Sequence, residues 1–244
     1  TYCDLSYGGS ITSSGILQLA SAASKVAIAN CTIRNSQTAG IYLSNSSPTI
    51  TSCNISNNTG DGIYLSWSSP VITDCTMNAN GGRGIYSTGS DSIPTLTNVS
   101  VTNGSSYALR LSAQALVQAS GITVSGNSPN QIEVVGGSIT SSGTWRNLAP
   151  YLIIADTTIA AGNTLTIEAG ANVMFGGNYL FTVSGALKAE GTPTSRITFT
   201  SNQTSPTPGY WKRIYFSSPN ASSNLTYCDL SYGGSSNGIL DLAG

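Results

Sequence analysis

Apolar residues alternate with polar ones in short bursts along the first half of this chain, and the bursts recur at a fixed spacing. Cys31-Thr32-Ile33 followed by Gly40-Ile41-Tyr42-Leu43 returns as Cys53-Asn54-Ile55 with Gly62-Ile63-Tyr64-Leu65, and again as Cys75-Thr76-Met77 with Gly84-Ile85-Tyr86, each 22 residues further on. A weaker form continues through Val99-Ser100-Val101 with Ala108-Leu109-Arg110-Leu111 and through Ile122-Thr123-Val124 with Gln131-Ile132-Glu133-Val134. Period-two alternation over three or four residues marks short strands buried on one side. The Asn-, Gly- and Ser-rich clusters between them (Asn35-Ser36-Gln37, Asn57-Asn58-Thr59-Gly60, Asn80-Gly81-Gly82) supply turn residues that tolerate positive φ. No window of a dozen residues carries a helical stripe. Short strands and tight turns with a 22-residue period predict a parallel β-helix, each coil lying on the one before.

A second, longer period encloses the first. Thr1-Tyr2-Cys3-Asp4-Leu5-Ser6-Tyr7-Gly8-Gly9-Ser10 returns unchanged as residues 226–235, and Gly15-Ile16-Leu17 returns as Gly238-Ile239-Leu240. The chain therefore has the pattern of one period, about 225 residues long, of a polymer or tandem array. No polar capping coil is evident in the first or last coil, so matching edges are expected there. The residues expected to carry end-to-end assembly are Tyr2, Leu5, Ile16 and Leu17 in the first copy and Tyr227, Leu230, Ile239 and Leu240 in the second. Ile239 and Leu240 would occupy the places of Ile16 and Leu17 in a continuous core.

The fold expected is all-β: a single right-handed parallel β-helix over residues 1–244, of about nine to ten coils of 22–25 residues. Three sub-segments differ in composition: Cys/Asn/Gly coils over 1–138, Trp-containing coils over 139–223, and the copy of the first coil over 224–244. Residues 202–209, with Pro206 and Pro208, read as a projecting loop because proline resists a central strand. In the middle segment Leu165-Thr166-Ile167 and Leu187-Lys188-Ala189 are 22 apart, and Gly143-Thr144-Trp145-Arg146 finds a counterpart in Gly209-Tyr210-Trp211-Lys212, 66 residues on.

Composition narrows the function. Charged residues are 8% of the chain against a usual quarter, the net charge is −1, and only Lys212-Arg213 are adjacent cations. Nucleic acid is therefore not an expected partner. No run of 18 apolar residues is available to span a bilayer. Low charge with abundant Ser, Thr, Asn and Gly in a repeat architecture suggests an extracellular or cell-surface location.

Cys3, Cys31, Cys53, Cys75 and Cys228 all fall in the alignment column filled elsewhere by Val99 and Ile122, so a ladder of free, buried thiols is expected rather than disulfides. No metal site or cofactor is expected, since the chain has no His and no CxxC pair. Asn35, Asn57 and Asn103, four positions after the ladder residue, are expected to stack and bond one another, with Ala79 interrupting them.

The ten acids are scattered about one to a coil, and no column holds two carboxylates in succession. A paired acid and base for polysaccharide cleavage is thus not formed. The outward column Thr32, Asn54, Thr76, Ser100, Thr123 is too irregular to match an ice lattice. Tyr42, Tyr64 and Tyr86, placed between inward Ile and Leu residues, predict an outer aromatic stripe that Trp67 enlarges. Such a stripe suits strand pairing, a partner surface or a glycan.

The runs Leu165–Gly170, Gly185–Thr192, Arg196–Ser201, Gly209-Tyr210-Trp211 and Tyr227–Gly234, together with the Cys/Asn/Gly coils of 26–88, resemble secreted right-handed parallel β-helix repeat proteins of bacteria and archaea, of the pectate-lyase-like fold. That resemblance implies a fold and leaves activity open, because the same scaffold carries lyases, hydrolases, adhesins and inert fibres. The reading that follows is a structural repeat unit of an extracellular fibre or stalk whose partner is itself. An adhesin or glycan-binding β-helix using the tyrosines is the alternative, and a polysaccharide lyase or hydrolase stands third.

Overall fold

The computed structural model describes residues 3–9, 15–21, 25–217 and 222–243. It is a parallel β-solenoid of about ten turns with almost no helix. Contacts divide it into two compact units, residues 1–132 and 133–244.

In the first unit successive coils stack their strands in three parallel columns. The first column runs Cys3–Ser6, Cys31–Arg34, Asn54–Ser56, Thr76–Asn78, Ser100–Thr102, Thr123–Ser125. The second holds Gly15–Ala20, Ala39–Ser44, Ile63–Ser66, Ile85–Ser87 and Leu109–Leu111, and the third Ala27–Ala29, Thr49–Thr51, Val71–Thr73 and Thr95–Thr97. The 22-residue spacing becomes a register in which like stacks on like: Ile33 on Ile55, Ile41 on Ile63, Leu43 on Leu65, Ile50 on Ile72. All of these side chains are fully buried, each on the inner side of a three- to six-residue strand whose alternate positions face out.

The corners explain the polar residues. Asn35, Asn57, Ala79 and Asn103 all have φ between 54° and 58°, a left-handed conformation that Asn tolerates better than other side chains. This corrects the expected asparagine ladder. The hydrogen-bonded stack is one residue further along. Asn58 Oδ1 accepts from Ser36 N at 3.0 Å, Asn80 Oδ1 accepts from Asn58 N and Asn58 Nδ2, and Asn127 Oδ1 accepts from Gly104 N. Their amide nitrogens donate to inward carbonyls of Ile33, Ile55 and Val101. These asparagines are buried, and their amides satisfy backbone groups that the turn would otherwise orphan.

The cysteine column holds for four of the five thiols. Cys3 pairs with Cys31, and the registers on either side place Cys53 and Cys75 above it. All are free; Cys53 and Cys75 are buried, Cys31 is half-buried and Cys3 exposed. Cys228 departs from the expectation: it stacks on Ile197, and its thiol donates to the Ala189 carbonyl. Its sequence copies that of Cys3, but a rung is defined by the coil it meets, and that coil is different.

A single helical turn, Ala113–Gln118, follows the strand Leu109–Leu111 where a third-column strand is due, capped by the Ser112 hydroxyl accepting from Ala115 N. Sequence reasoning missed it because six residues are too few to show a helical period.

The second unit also has three columns. They are Tyr151–Ile153, Asn172–Phe175, Ile197–Ser201, Cys228–Leu230; Gly137–Ile139, Thr157–Ile159, Leu180–Val183, Arg213–Phe216, Leu240–Leu242; and Gly143–Trp145, Thr164–Ile167, Ala186–Glu190, Asn224–Thr226. Leu165 stacks on Leu187 as the spacing predicts. Trp145 and Trp211, by contrast, are not equivalent: Trp145 pairs with Ile167, whereas Trp211 precedes Arg213 in another column and bridges to Gly233. Both are fully buried and belong to an aromatic interior. Phe175 lies flat on Trp211 with ring centres 4.0 Å apart, and Trp145 stacks on Tyr151 and meets Phe181 edge-on. Residues 202–209 form no strand.

Candidate functional site

Tyr42, Tyr64 and Tyr86 share one outward column because each lies between two inward residues of its strand. Their rings stack nearly parallel, 4.9 and 5.0 Å apart between centres, a distance set by the inter-strand spacing. Two guanidinium groups cover Tyr86, Arg83 at 5.0 Å and Arg110 at 5.2 Å from the ring centre, and Arg83 also lies over Tyr107. Arg110 is held by a bond from Nε to the Ser87 carbonyl. The faces of Tyr64 and Tyr86 are therefore taken up by neighbouring rings and cations, while Tyr42 is stacked on one face, against Tyr64. What the stack presents outward is mainly ring edges and hydroxyls. Burial, and then the neighbouring Tyr86, Tyr42 and Asp61, push the Tyr64 hydroxyl above the ordinary phenol range, so it stays a neutral donor and acceptor at physiological pH.

Beside the tyrosines is an open cleft of about 330 Å³ lined by Gln37, Thr38, Ala39, Tyr42, Thr59, Gly60, Asp61 and Tyr64. Asp61 is oriented there by accepting from Arg83 N at 2.7 Å. Sequence reasoning named the tyrosines and missed the cleft wall. Gln37 and Thr59 are equivalent positions 22 apart, which was the available signal. Trp67 does not join this site. It is 65% exposed, holds φ at 48°, and borders a separate hollow with Thr88, Gly89, Asp91 and Ser92. Positive φ is costly for a bulky side chain; the coil before places Asn45 at φ 49°.

In the thiol column Cys53 and Cys75 are buried beside each other and shifted in opposite directions, the Cys53 thiol downward by its hydrogen bond with Cys75. Cys53 and Cys75 donate to the carbonyls of Thr51 and Thr73, and contact with the Cys53 sulfur, then burial, push the Cys75 thiol well above its ordinary range. Among the described residues no cluster of three or more His, Cys, Asp or Glu is placed to hold a metal ion, and no helix is long and apolar enough to cross a membrane.

The described residues expected to carry assembly lie on or beside the strands of the two duplicated segments. In the first copy Leu5 stacks on Ile33 and Leu17 on Ile41, with Ile16 half-buried beside them. In the second, Leu230 stacks on Phe199 and Leu240 on Ile214, and the Ile239 carbonyl accepts from Ile214 N. Tyr227 is exposed at φ 49°; Tyr2 lies outside the described residues. The duplicated aspartates are both paired to arginine. Arg34 Nη2 donates to Asp4 at 2.8 Å, and Arg196 grips Asp229 through Nε and Nη2, both at 2.7 Å.

Comparison with curated proteins and with solved structures returned no match. A family model described as "Right handed beta helix region" matches residues 9–149, more than half of the chain, and the chain belongs to that family.

Proposed function

We propose that the protein is a structural repeat unit of an extracellular fibre or cell-surface stalk, extended end to end through matching coils. The observation that carries this reading is the duplicated coil: among the described residues each copy is paired on one side, and its other side carries leucines of core type. Leu240 and Leu242 are 44% and 74% exposed although their stacking partners include the fully buried Ile214. An edge of this kind is a template for further strand pairing. Inert chemistry agrees with a structural role. The carboxylates of Asp4, Asp156, Glu168, Asp229 and Asp241 are each ion-paired to a separate cation rather than gathered as an acid and base. The test is to image native material and weigh its polypeptide under denaturing conditions. Fibres or stalks of constant width built from a chain longer than one repeat are expected; a monomeric 25 kDa species would sink the reading.

The cleft beside Tyr42 and Tyr64 supports a second reading, a glycan-binding β-helix. Mutual stacking leaves mainly edges and hydroxyls of the rings to a sugar, so binding there would rest chiefly on hydrogen bonds with Gln37, Thr38, Thr59 and Asp61. Glycan-array binding that disappears with Tyr64→Ala and Asp61→Asn would favour it over the fibre.

A further inference from the structure

We propose that the duplicated segment is a shared coil: in a tandem run of this repeat, one copy closes the preceding repeat and opens the next, with its aspartate held between Arg196 of the first and Arg34 of the second. The proposal rests on the structural-repeat reading and names the partner as the next copy of this same sequence.

The two copies show complementary halves of one coil. Residues 224–242 pair only with the coil before them: Cys228 with Ile197, Leu230 with Phe199, Leu240 with Ile214, Leu242 with Phe216. Among the described residues of the first copy, Cys3–Ser6 and Gly15–Ala20 pair with the coil after them: Leu5 with Ile33, Leu17 with Ile41, Leu19 with Leu43. By sequence Leu230 is Leu5, Leu240 is Leu17 and Leu242 is Leu19. Every one of these leucines thus has a neighbour on one side in one copy and on the other side in the other. Merged into one coil, none is asked to meet two residues in one place. Three uninterrupted stacks result: Phe199, Leu230, Ile33; Ile214, Leu240, Ile41; and Phe216, Leu242, Leu43. The backbone agrees, since Ala243 N donates back to Phe216 O while Ser21 N donates forward to Ser44 O.

The ion pairs divide in the same way. Asp229 is bonded by an arginine of the preceding coil and Asp4 by one of the following coil. A carboxylate has about four lone-pair sites, enough for two guanidinium groups. In the shared coil both arginines reach the same carboxylate from opposite sides, so the coil carries its own orientation mark. A consequence is the hand-over of columns. The column ending in Cys228–Leu230 runs on into the cysteine column, and the one ending in Leu240–Leu242 runs on into the tyrosine column.

The experiment is a tandem chain made by joining Ala243 of one copy to Ser21 of the next, followed by hydrogen exchange with mass spectrometry. The peptide from Leu240 across the joint to Lys25 is unique in sequence, and residues 240–244 at the far end of the same molecule are an internal control. At least a tenfold slowing at the joint over the control is expected. Asp229→Asn in the first copy, Arg196→Gln in the first and Arg34→Gln in the second should each speed exchange there, the aspartate change most. Exchange at the joint as fast as at the control overturns the shared coil; an effect from only one of the two arginines overturns the bracketed carboxylate. Either failure is distinct from failure of the fibre reading, which a protected joint in the tandem chain alongside single-repeat monomers in native material would produce.

Discussion

The two units build the same columns from different interiors. In residues 1–132 the core is aliphatic, Ile, Leu, Val and Met stacked on their own kind, with buried asparagines at one corner and the aromatic rings outside. In residues 133–244 six rings fill the interior, where Trp145, Tyr151, Phe175, Phe181, Phe199 and Trp211 are fully buried. The first arrangement depends on strict repetition, since a β-branched residue packs best on another in register. The second fills its space with a few large groups in offset and edge-on contact, which needs no repeat at all. Regular sequence and buried aromatic bulk are therefore two separate solutions to one cross-section.

Truncating the aromatic interior should give the largest effect. Trp211→Ala removes the ring stacked on Phe175 and the bond from its indole nitrogen to the Ser231 carbonyl, and a loss of about 3–5 kcal/mol is expected, read by urea titration of Trp145 fluorescence in a Trp67→Phe background. A change below about 1 kcal/mol would mean that this interior collapses to fill the space, and the contrast between the units would fail.

The corresponding weak point of the first unit is polar. Asn80→Ala removes the oxygen that accepts from Asn58 N and Nδ2 and leaves the Ile55 carbonyl without the Asn80 amide donor. About 2–3 kcal/mol should be lost, the cost of buried groups left unpaired, measured in the same titration by far-UV circular dichroism. At the neighbouring corner the sign reverses. Ala79 holds φ at 54° where other coils use Asn, so Ala79→Gly should raise stability by about 0.5–1 kcal/mol. Cys53→Val should change it by less than about 1 kcal/mol, because Val99 already occupies that column and only weak thiol bonds are lost; a larger drop would show the thiols to be structural hydrogen-bond donors.

The smallest effect is electrostatic. The Arg196 guanidinium hydrogen-bonded to Asp229 holds that carboxyl below the usual carboxylate range. Its contribution is present above the unfolded value and disappears as pH falls through the lowered folded value. Carbon NMR of the Asp229 carboxyl should show a depressed midpoint that moves up with Arg196→Gln; an unmoved midpoint would discount the pair.

Much of the first unit was legible because a spacing of 22 and strand alternation together fix both column and face, as for Ile33, Ile41 and Tyr42. The ladder asparagines were misplaced by one because Asn57 and Asn58 are adjacent and answer different needs, one a backbone angle and the other a buried bond. Cys228 and Trp211 were misplaced for another reason. Their local sequences match Cys3 and Trp145, but stacking depends on the coil beneath, which local sequence does not describe. The tyrosine stripe could be read from alternation, and the 22-residue spacing of Gln37 and Thr59 marks the cleft wall; the arginines over Tyr86 depend on where long side chains reach, and no period encodes that.

The register of the first unit also bears on how such a gene can change length. Because Ser36, Asn58 and Asn80 occupy one column, as do Ile33, Ile55 and Met77, excising residues 53–74 would join Ser52 to Cys75 and bring Ile33 onto Met77, Tyr42 onto Tyr86 and Ser36 onto Asn80. Cys53, Asn58, Ile63 and Tyr64 each have a like replacement one coil away in Cys75, Asn80, Ile85 and Tyr86, whereas Asp61 and Trp67 do not. A polymerase slipping by one such unit would alter the reach of the molecule and keep the register of its core columns.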